Sequence, residues 1–287
     1  AAFIYKDNKF YRVESNVGYD KYYLIYARQN PSYVDILNKN VVEQFIDATH
    51  EEYYRRFKRY FGRCFKGFFT DEPQYYRTGQ PWSPVILEEF KKRYGYDVRS
   101  RLIGLFEDTD DMYSFRNDYW KLVNELLMNN YQKILYDWCT DHGCMLTGHT
   151  IEESSLSGQM MCCAGAMTFY EYEHIPGIDC LSSNSSVELS AKQCSSVAQQ
   201  LGKNIVLSET FAACGWGMKP KELKRLGELQ YVNGINCMCQ HLFPYSIQGF
   251  RKRDYPPFFS YHNPWMKYSR EFNEYFNVLG YKLSHGK

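Results

Sequence analysis

The chain has 287 residues, and its 34 Lys and Arg stand against 33 Asp and Glu for a formal charge of +1. That balance gives no electrostatic basis for nucleic acid or an anionic membrane as a partner. A hydrophobic share of 44% with 23% charged residues excludes a disordered or fibrous chain. No apolar run approaches the roughly 20 residues that cross a bilayer. The opening AAFIYKDNKF carries no targeting pattern, so a cytoplasmic location is expected, with secretion left open if the chain is a fragment. Aromatics reach 18%; core filling explains them first, and sugar-stacking faces second. The ten cysteines lack the paired C-x-x-C spacing of a zinc site and read as reduced, mostly buried thiols. No structural metal and no cofactor are assigned.

Taken in order, the chain opens with a hairpin-like stretch, Phe3–Val13, inside a segment covering 1–20. From there short apolar runs alternate with amphipathic helices. Tyr22–Tyr26 reads as a strand, leading to a helix over Val41–Tyr60 that Gly62 stops. Lys66–Thr70 is the next strand, ended by Asp71-Glu72-Pro73, and Pro84–Tyr94 is a helix with Gly95 just past its end. A long helix is predicted over about 111–141. Strands at Cys144–Thr147, Gly177–Leu181, Asn204–Ser208 and Ile235–Gln240 follow. Between and after them, helices are predicted at Val187–Leu201, Pro220–Tyr231 and Asn263–Leu279.

Regular alternation of this kind predicts a parallel sheet covered by helices. A doubly wound sheet would show a glycine-rich phosphate loop after its first strand, and none is present. A (β/α)8 TIM barrel instead places polar residues at the C-terminal ends of several strands. Asp71, Glu72, His149, Asp179, Glu209 and His241 each follow a separate apolar run. The expected fold is therefore an α/β TIM barrel over 21–287, incomplete at its N-terminus, with the third to eighth strands recognisable. In that count Lys66–Thr70 is the fourth strand and Asn204–Ser208 the seventh.

Glu72 and Glu209 stand at those two strand ends. Glycosidic bonds are cleaved by two carboxyl groups flanking the anomeric carbon, one protonating the leaving oxygen and one attacking or activating water. The pair must differ in pKa. Phe68, Phe69 and the neighbouring Asp71 give Glu72 surroundings that favour the protonated acid, whereas the hydroxyls of Ser208 and Thr210 suit an ionised Glu209. The plainer reading of Glu72 is a helix cap or an ion pair with Arg77, and of Glu209 a strand-end residue bonded to nearby loops. The occurrence of two such glutamates favours catalysis.

These residues carry a resemblance. The stretches Phe68–Pro73 (FFTDEP), Phe90–Asp97 (FKKRYGYD), Asp137–Gly143 (DWCxxHG), Thr147–Glu153 (TGHTxEE), Ile175–Asp179 (IPGID), Leu207–Trp216 (LSETFxAxGW) and Gln240–Pro257 (QHLFxYSxxGxRKRDYPP) resemble bacterial proteins akin to the family 106 α-L-rhamnosidases. The D-E-P and S-E motifs are similar to the acid/base and nucleophile positions of the retaining TIM-barrel glycosidase clan. The resemblance implies an O-glycoside hydrolase acting on carbohydrate, with Glu72 and Glu209 as its catalytic pair. Asp71 stands where that clan usually has an asparagine. An inverting mechanism, which the rhamnosidase family implies, would make one partner a general base.

Substrate contacts are expected from Asp71, His149, Asp179, Trp216, His241, Tyr245 and Arg251. Glu152 and Glu153 are read as solvating a loop, with substrate binding or replacement of one of the pair as rival roles. Two other classes compete with the hydrolase. A divalent-metal enzyme on the same barrel would use Asp71, His149, Asp179, Glu209 and His241, though no H-x-H or H-E-x-x-H pair supports it. A sugar-binding or inactive barrel fragment is the third.

Overall fold

A computed structural model describes residues 1–15, 18–31, 33–75, 79–182 and 187–285; Arg77, offered above as a partner for Glu72, lies outside them. The chain forms two compact units. One comprises Ala1–Arg56, Gln74–Ile134 and Met161–Ala164; the other comprises Phe57–Pro73, Leu135–Met160 and Gly165–Lys287. No helix among the described residues is long and apolar enough to cross a membrane.

In the first unit, β1 (Ala2–Lys6) and β2 (Lys9–Val13) form an antiparallel hairpin. Asp7 and Asn8 turn it in the left-handed region, at φ 50° and 59°. The run Tyr22–Tyr26, expected as a parallel barrel strand, contributes only β3 (Tyr23–Leu24), which pairs antiparallel with β1. Its tyrosines are exposed, so the aromatic run covers a sheet edge and does not fill a core. The helix expected over Val41–Tyr60 is broken into α1 (Lys39–Ala48) and α2 (His50–Phe57). At the break the Thr49 hydroxyl donates to the Phe45 carbonyl at 2.7 Å and meets His50 Nδ1 at 2.8 Å, offering the backbone an alternative to the helical ladder. Helices α3 (Val85–Tyr94) and α4 (Met112–Leu127) pack through Phe90 and Phe115, both fully buried, with ring centroids 5.9 Å apart. Past α4 the predicted long helix passes through a π-helical turn, Met128–Gln132, into α5 (Lys133–Asp141).

The second unit carries the parallel strands β4 (Gly67–Asp71), β5 (Met145–His149), β6 (Gly177–Cys180), β7 (Leu207–Thr210) and β8 (Cys237–Gln240). One ladder joins β4 to β5 and another runs β6-β7-β8; a single parallel bridge, Thr147 to Ile175, links them. The strands follow one another in chain order, as in the expected barrel. Among the described residues, however, the sheets are small and do not close, so the fold shown is a mixed α/β arrangement of helices and parallel strands, not a complete TIM barrel. Two short helices that periodicity did not reveal, α6 (Leu156–Cys162) and α7 (Ala166–Glu171), fill the connection between β5 and β6.

Helices α8 (Glu188–Gln200), α9 (Pro220–Val232) and α10 (Ser269–His285) supply the core of this unit. Ala191, Cys194 and Ala198 lie at three- and four-residue spacing on the buried stripe of α8, beside Ile178, Tyr231 and Phe276. Phe211, Leu223, Leu226 and Phe259 form a second apolar cluster. The strands themselves approach closely at three glycines; a Cβ on Gly67 would lie 2.1 Å from the Met145 carbonyl oxygen. A Cβ on Gly148 would lie 2.2 Å from the Thr70 carbonyl oxygen, and one on Gly177 would lie 2.2 Å from the Gly148 carbonyl oxygen.

Gly148 also sits at φ +150°, so Gly148→Ala meets both a backbone clash and an unfavourable conformation. It is expected to destabilise the protein by about 3 kcal/mol, read as a lowered urea midpoint with an unchanged m-value.

Candidate active site

Strand register brings the polar residues together. Asp71 on β4 is opposite His149 on β5, and Asp179 on β6 is opposite Glu209 on β7. Neighbouring strands lie about 4.8 Å apart, and residues in register send their side chains to the same face. The alternate positions Ile178 and Cys180 go to the helical core. The two acid-bearing pairs therefore share the face that the helices leave open.

His149 is the centre of this cluster and is almost wholly enclosed, its side chain 2% exposed. Its Nδ1 lies 2.9 Å from the Thr150 carbonyl, an acceptor only, so Nδ1 carries a proton. Its Nε2 lies 2.7 Å from Glu209 Oε2 and 3.6 Å from Asp71 Oδ1. The Phe69 ring stands edge-on to the imidazole, with centroids 5.5 Å apart. Burial pushes the imidazole towards its neutral form. The Glu209 hydrogen bond, the Thr150 carbonyl and the charges of Asp179 and Glu153 outweigh it and raise the pKa to about 10. The cation in turn acts on Glu209: burial would raise that carboxyl, but the hydrogen bond and charge of His149, with His241 Nε2 at 3.9 Å, bring it below its ordinary value. The pair is an imidazolium facing a carboxylate.

A second acidic pair lies beside it. Glu72 leaves β4 with φ 49°, a left-handed conformation that is rare for a residue with a long side chain. Its side chain hydrogen-bonds Asp179. Burial, together with the negative charges of Glu209 and Asp71, raises Asp179 to about 6, against the opposing influence of His149 and Glu72. A hydrogen bond between two carboxyl groups needs a proton on one of them, so this pair carries acid where Glu209 carries charge. Two buried atoms of these side chains, Asp179 Oδ1 and His241 Nδ1, have no hydrogen-bond partner among the described residues. Phe211 and Leu242, just past the ends of β7 and β8, are also left-handed, at φ 70° and 49°. Strained backbone of this kind collects at functional sites.

The sequence-derived candidates are thus partly assembled. Asp71, Glu72, His149, Asp179, Glu209 and His241 belong to one cluster, though Asp71 is open to solvent, its side chain 79% exposed. Trp216 donates from Nε1 to the Lys252 carbonyl at 2.8 Å and packs edge-to-face on Phe258, as a loop anchor does. Tyr245 is fully exposed, and Arg251 lies exposed in the short 3-10 helix Gly249–Arg253. Neither makes a side-chain hydrogen bond to the cluster among the described residues. Of the two loop glutamates, Glu152 is exposed, whereas Glu153 is buried and accepts hydrogen bonds from the Thr150 backbone and hydroxyl at 2.8 and 2.9 Å. The loop-solvating reading of Glu153 is therefore corrected. The signal was the Thr-x-x-Glu spacing, which lets a glutamate reach back to the N–H three residues earlier.

Asp71, His149 and Glu209 each offer one ligating atom, all within 4.8 Å of one another. A divalent cation could be held there by two oxygens and one imidazole nitrogen, a donor set suited to a hard or borderline ion.

The ion pair sets a pH window. The His149 contribution is complete below its ordinary 6.5 and is lost as pH rises towards about 10. The Glu209 contribution is complete above its ordinary 4.5 and is lost at more acidic pH. The stability gap between wild type and His149→Gln should be widest between about pH 4.5 and 6.5 and close on the alkaline side, as measured by urea unfolding at each pH.

Known proteins share this architecture. The rhamnosidase from Novosphingobium sp. PP1Y is 20% identical and superposes with a TM-score of 0.70, covering 91% of this chain and 26% of its own. A protein of Formosa agariphila, whose name assigns it provisionally to the beta-glucuronidases, is 22% identical over 224 residues, or 72% of this chain. The chain spans 18% of that relative's length and 26% of the rhamnosidase's. The model of glycoside hydrolase family 106, described as alpha-L-rhamnosidase, matches residues 29–287. The chain belongs to glycoside hydrolase family 106.

Proposed function

We propose that this protein hydrolyses an O-glycosidic bond, with Glu72 as general acid and Glu209 as the ionised partner. The observation that carries the reading is the division of protons between neighbouring carboxyl groups. Glu209 is kept ionised by the buried His149 cation, while Glu72 shares a hydrogen bond with Asp179, whose carboxyl titrates near 6. Carboxyl groups pushed apart in this way are the requirement of glycoside cleavage. Glu72 gives its proton to the leaving oxygen as the bond to the anomeric carbon breaks, and Asp179 shares the charge that remains. Glu209 either attacks the anomeric carbon or takes a proton from the attacking water.

The parallel strands belong, in this reading, to a (β/α)8 barrel with the site at its C-terminal mouth. Family membership and the rhamnosidase neighbour favour an α-L-rhamnoside as substrate; the relative from Formosa agariphila makes a β-glucuronide the alternative to screen.

Glu72→Gln should cost roughly 10²–10⁴-fold in kcat on substrates with poor leaving groups and far less on activated aryl glycosides. Glu209→Gln should disable both. Equal loss on both substrates in Glu72→Gln would remove it from the acid role. NMR of the first-formed anomer decides between retention, for which the carboxyl groups stand about 5–5.5 Å apart, and inversion, for which they stand about 6.5–9.5 Å apart.

The donor set at Asp71, His149 and Glu209 supports a second reading, a divalent-metal enzyme. His149 presents Nε2 to the carboxylates while Nδ1 bonds a backbone carbonyl, the orientation of a ligating imidazole. A bound cation would supply charge to polarise a substrate oxygen, and Nε2 would first have to release its proton. Chelation should then abolish turnover, with recovery on adding Ca²⁺, Mn²⁺ or Zn²⁺; full activity after exhaustive chelation rules this reading out.

A further inference from the structure

Glu153 lies beside the cluster, 3% exposed, and its carboxyl oxygens are bonded by neutral donors among the described residues. Its Oε1 accepts from the Thr150 N–H at 2.8 Å and from the Thr150 hydroxyl at 2.9 Å. Its Oε2 accepts from the Asp179 N–H at 3.1 Å. The Glu153 carbonyl is in turn held by Gln159, whose Nε2 donates to it at 2.8 Å and also to Gln193 Oε1 at 2.8 Å. Burying a carboxylate is costly; three donors converging on it from two different strand ends, with the charge of His149, offset part of that cost, and burial still raises the carboxyl to about 7.

The partners of Glu153 are the backbone groups that aim the site. Thr150, pinned at its N–H and hydroxyl, turns its carbonyl to His149 Nδ1 at 2.9 Å, and His149 Nε2 reaches Glu209 Oε2 at 2.7 Å. By the other oxygen Glu153 fixes the backbone of Asp179, the residue that bonds Glu72. We propose that Glu153 is the positioning residue of this site, setting Glu209 through Thr150 and His149 and setting Glu72 through Asp179. The inference rests on the hydrolase reading for its kinetic consequence, but not for its geometric one.

A carboxylate is required because every partner is a donor. Glutamine would keep one acceptor for Thr150 and turn an NH2 group against the Asp179 N–H. Loop anchoring alone would leave the His149 imidazole as it is in the wild type. The experiment combines steady-state kinetics with imidazole ¹⁵N NMR at one fixed pH, the His149 signals assigned by their loss in His149→Gln. In Glu153→Gln we expect kcat to fall about 10²-fold, the cost of a site misplaced by about an ångström, with KM changed less than about threefold. The His149 ¹⁵N signals should move as the Thr150 carbonyl turns away.

Thr150→Val, which removes only the hydroxyl donor and keeps the side-chain shape, should move both readouts the same way by less, and it serves if Glu153→Gln does not fold. Unmoved His149 signals in a folded variant, or a kcat equal to that of wild type, overturns the proposal. If the wild type turns over no glycoside, the hydrolase reading fails on its own, and the NMR arm still decides the positioning role by whether the His149 signals move.

Discussion

The bond between His149 and Glu209 spans two strand spacings. β5 and β7 are not neighbours; β6 lies between them, so their backbones stand roughly 10 Å apart. An imidazole and a carboxylate meet at 2.7 Å over that distance because both side chains reach towards each other across the face they share. The contact between Glu72, past the end of β4, and Asp179 on β6 steps over β5 in the same way. The strand spacing is thus the condition for the chemistry, and the glycines at which β4, β5 and β6 approach most closely, Gly67, Gly148 and Gly177, belong to the site as much as its acids do.

The same contacts also settle where protons reside. On the β5–β7 side, His149 is protonated at both nitrogens, because one meets a carbonyl and the other a carboxylate. That fixed cation holds one glutamate ionised. On the β4–β6 side, two carboxyl groups face each other and must share a proton. The two arrangements are a few ångströms apart on one surface, and each depends on the other: Glu209 raises Asp179 through its charge, and His149 lowers it. Exchanging either glutamate for glutamine therefore alters the titration of both sides.

Much of this was legible in the sequence. The runs KGFFT, CMLT, GIDCL, NIVLS and INCMCQ mark all the parallel strands, and polar residues at their ends mark the face that carries the site. What shifted was where the strands end. The apolar pattern ends the strands at Thr147 and Ser208, whereas pairing carries β5 to His149 and β7 to Thr210, because ladder hydrogen bonds continue while the side chains turn polar. Tyr22–Tyr26 misled because β-rich aromatic runs also suit an exposed antiparallel edge. Glu153 escaped because burial of an acid depends on donors supplied by residues far along the chain, such as the Asp179 N–H, and nothing local announces them. Alternation predicts an incomplete barrel, and the described residues show only the ladders β4-β5 and β6-β7-β8 with a single bridge between them.

The left-handed residues at Glu72, Phe211 and Leu242 have a consequence for how this surface evolves. Each sits at a joint where strand becomes loop, in a conformation its own side chain disfavours by of the order of 1 kcal/mol or more. Local preference does not hold these joints; at Phe211 the packed core does, its ring fully enclosed, whereas Leu242 is 45% exposed. Loops grafted from a relative onto the same strands would therefore inherit the aim of the carboxyl groups only if the supporting helices came with them. Specificity and scaffold are inherited together in such a molecule, and new substrates are more readily reached by changing loop tips than by changing joints.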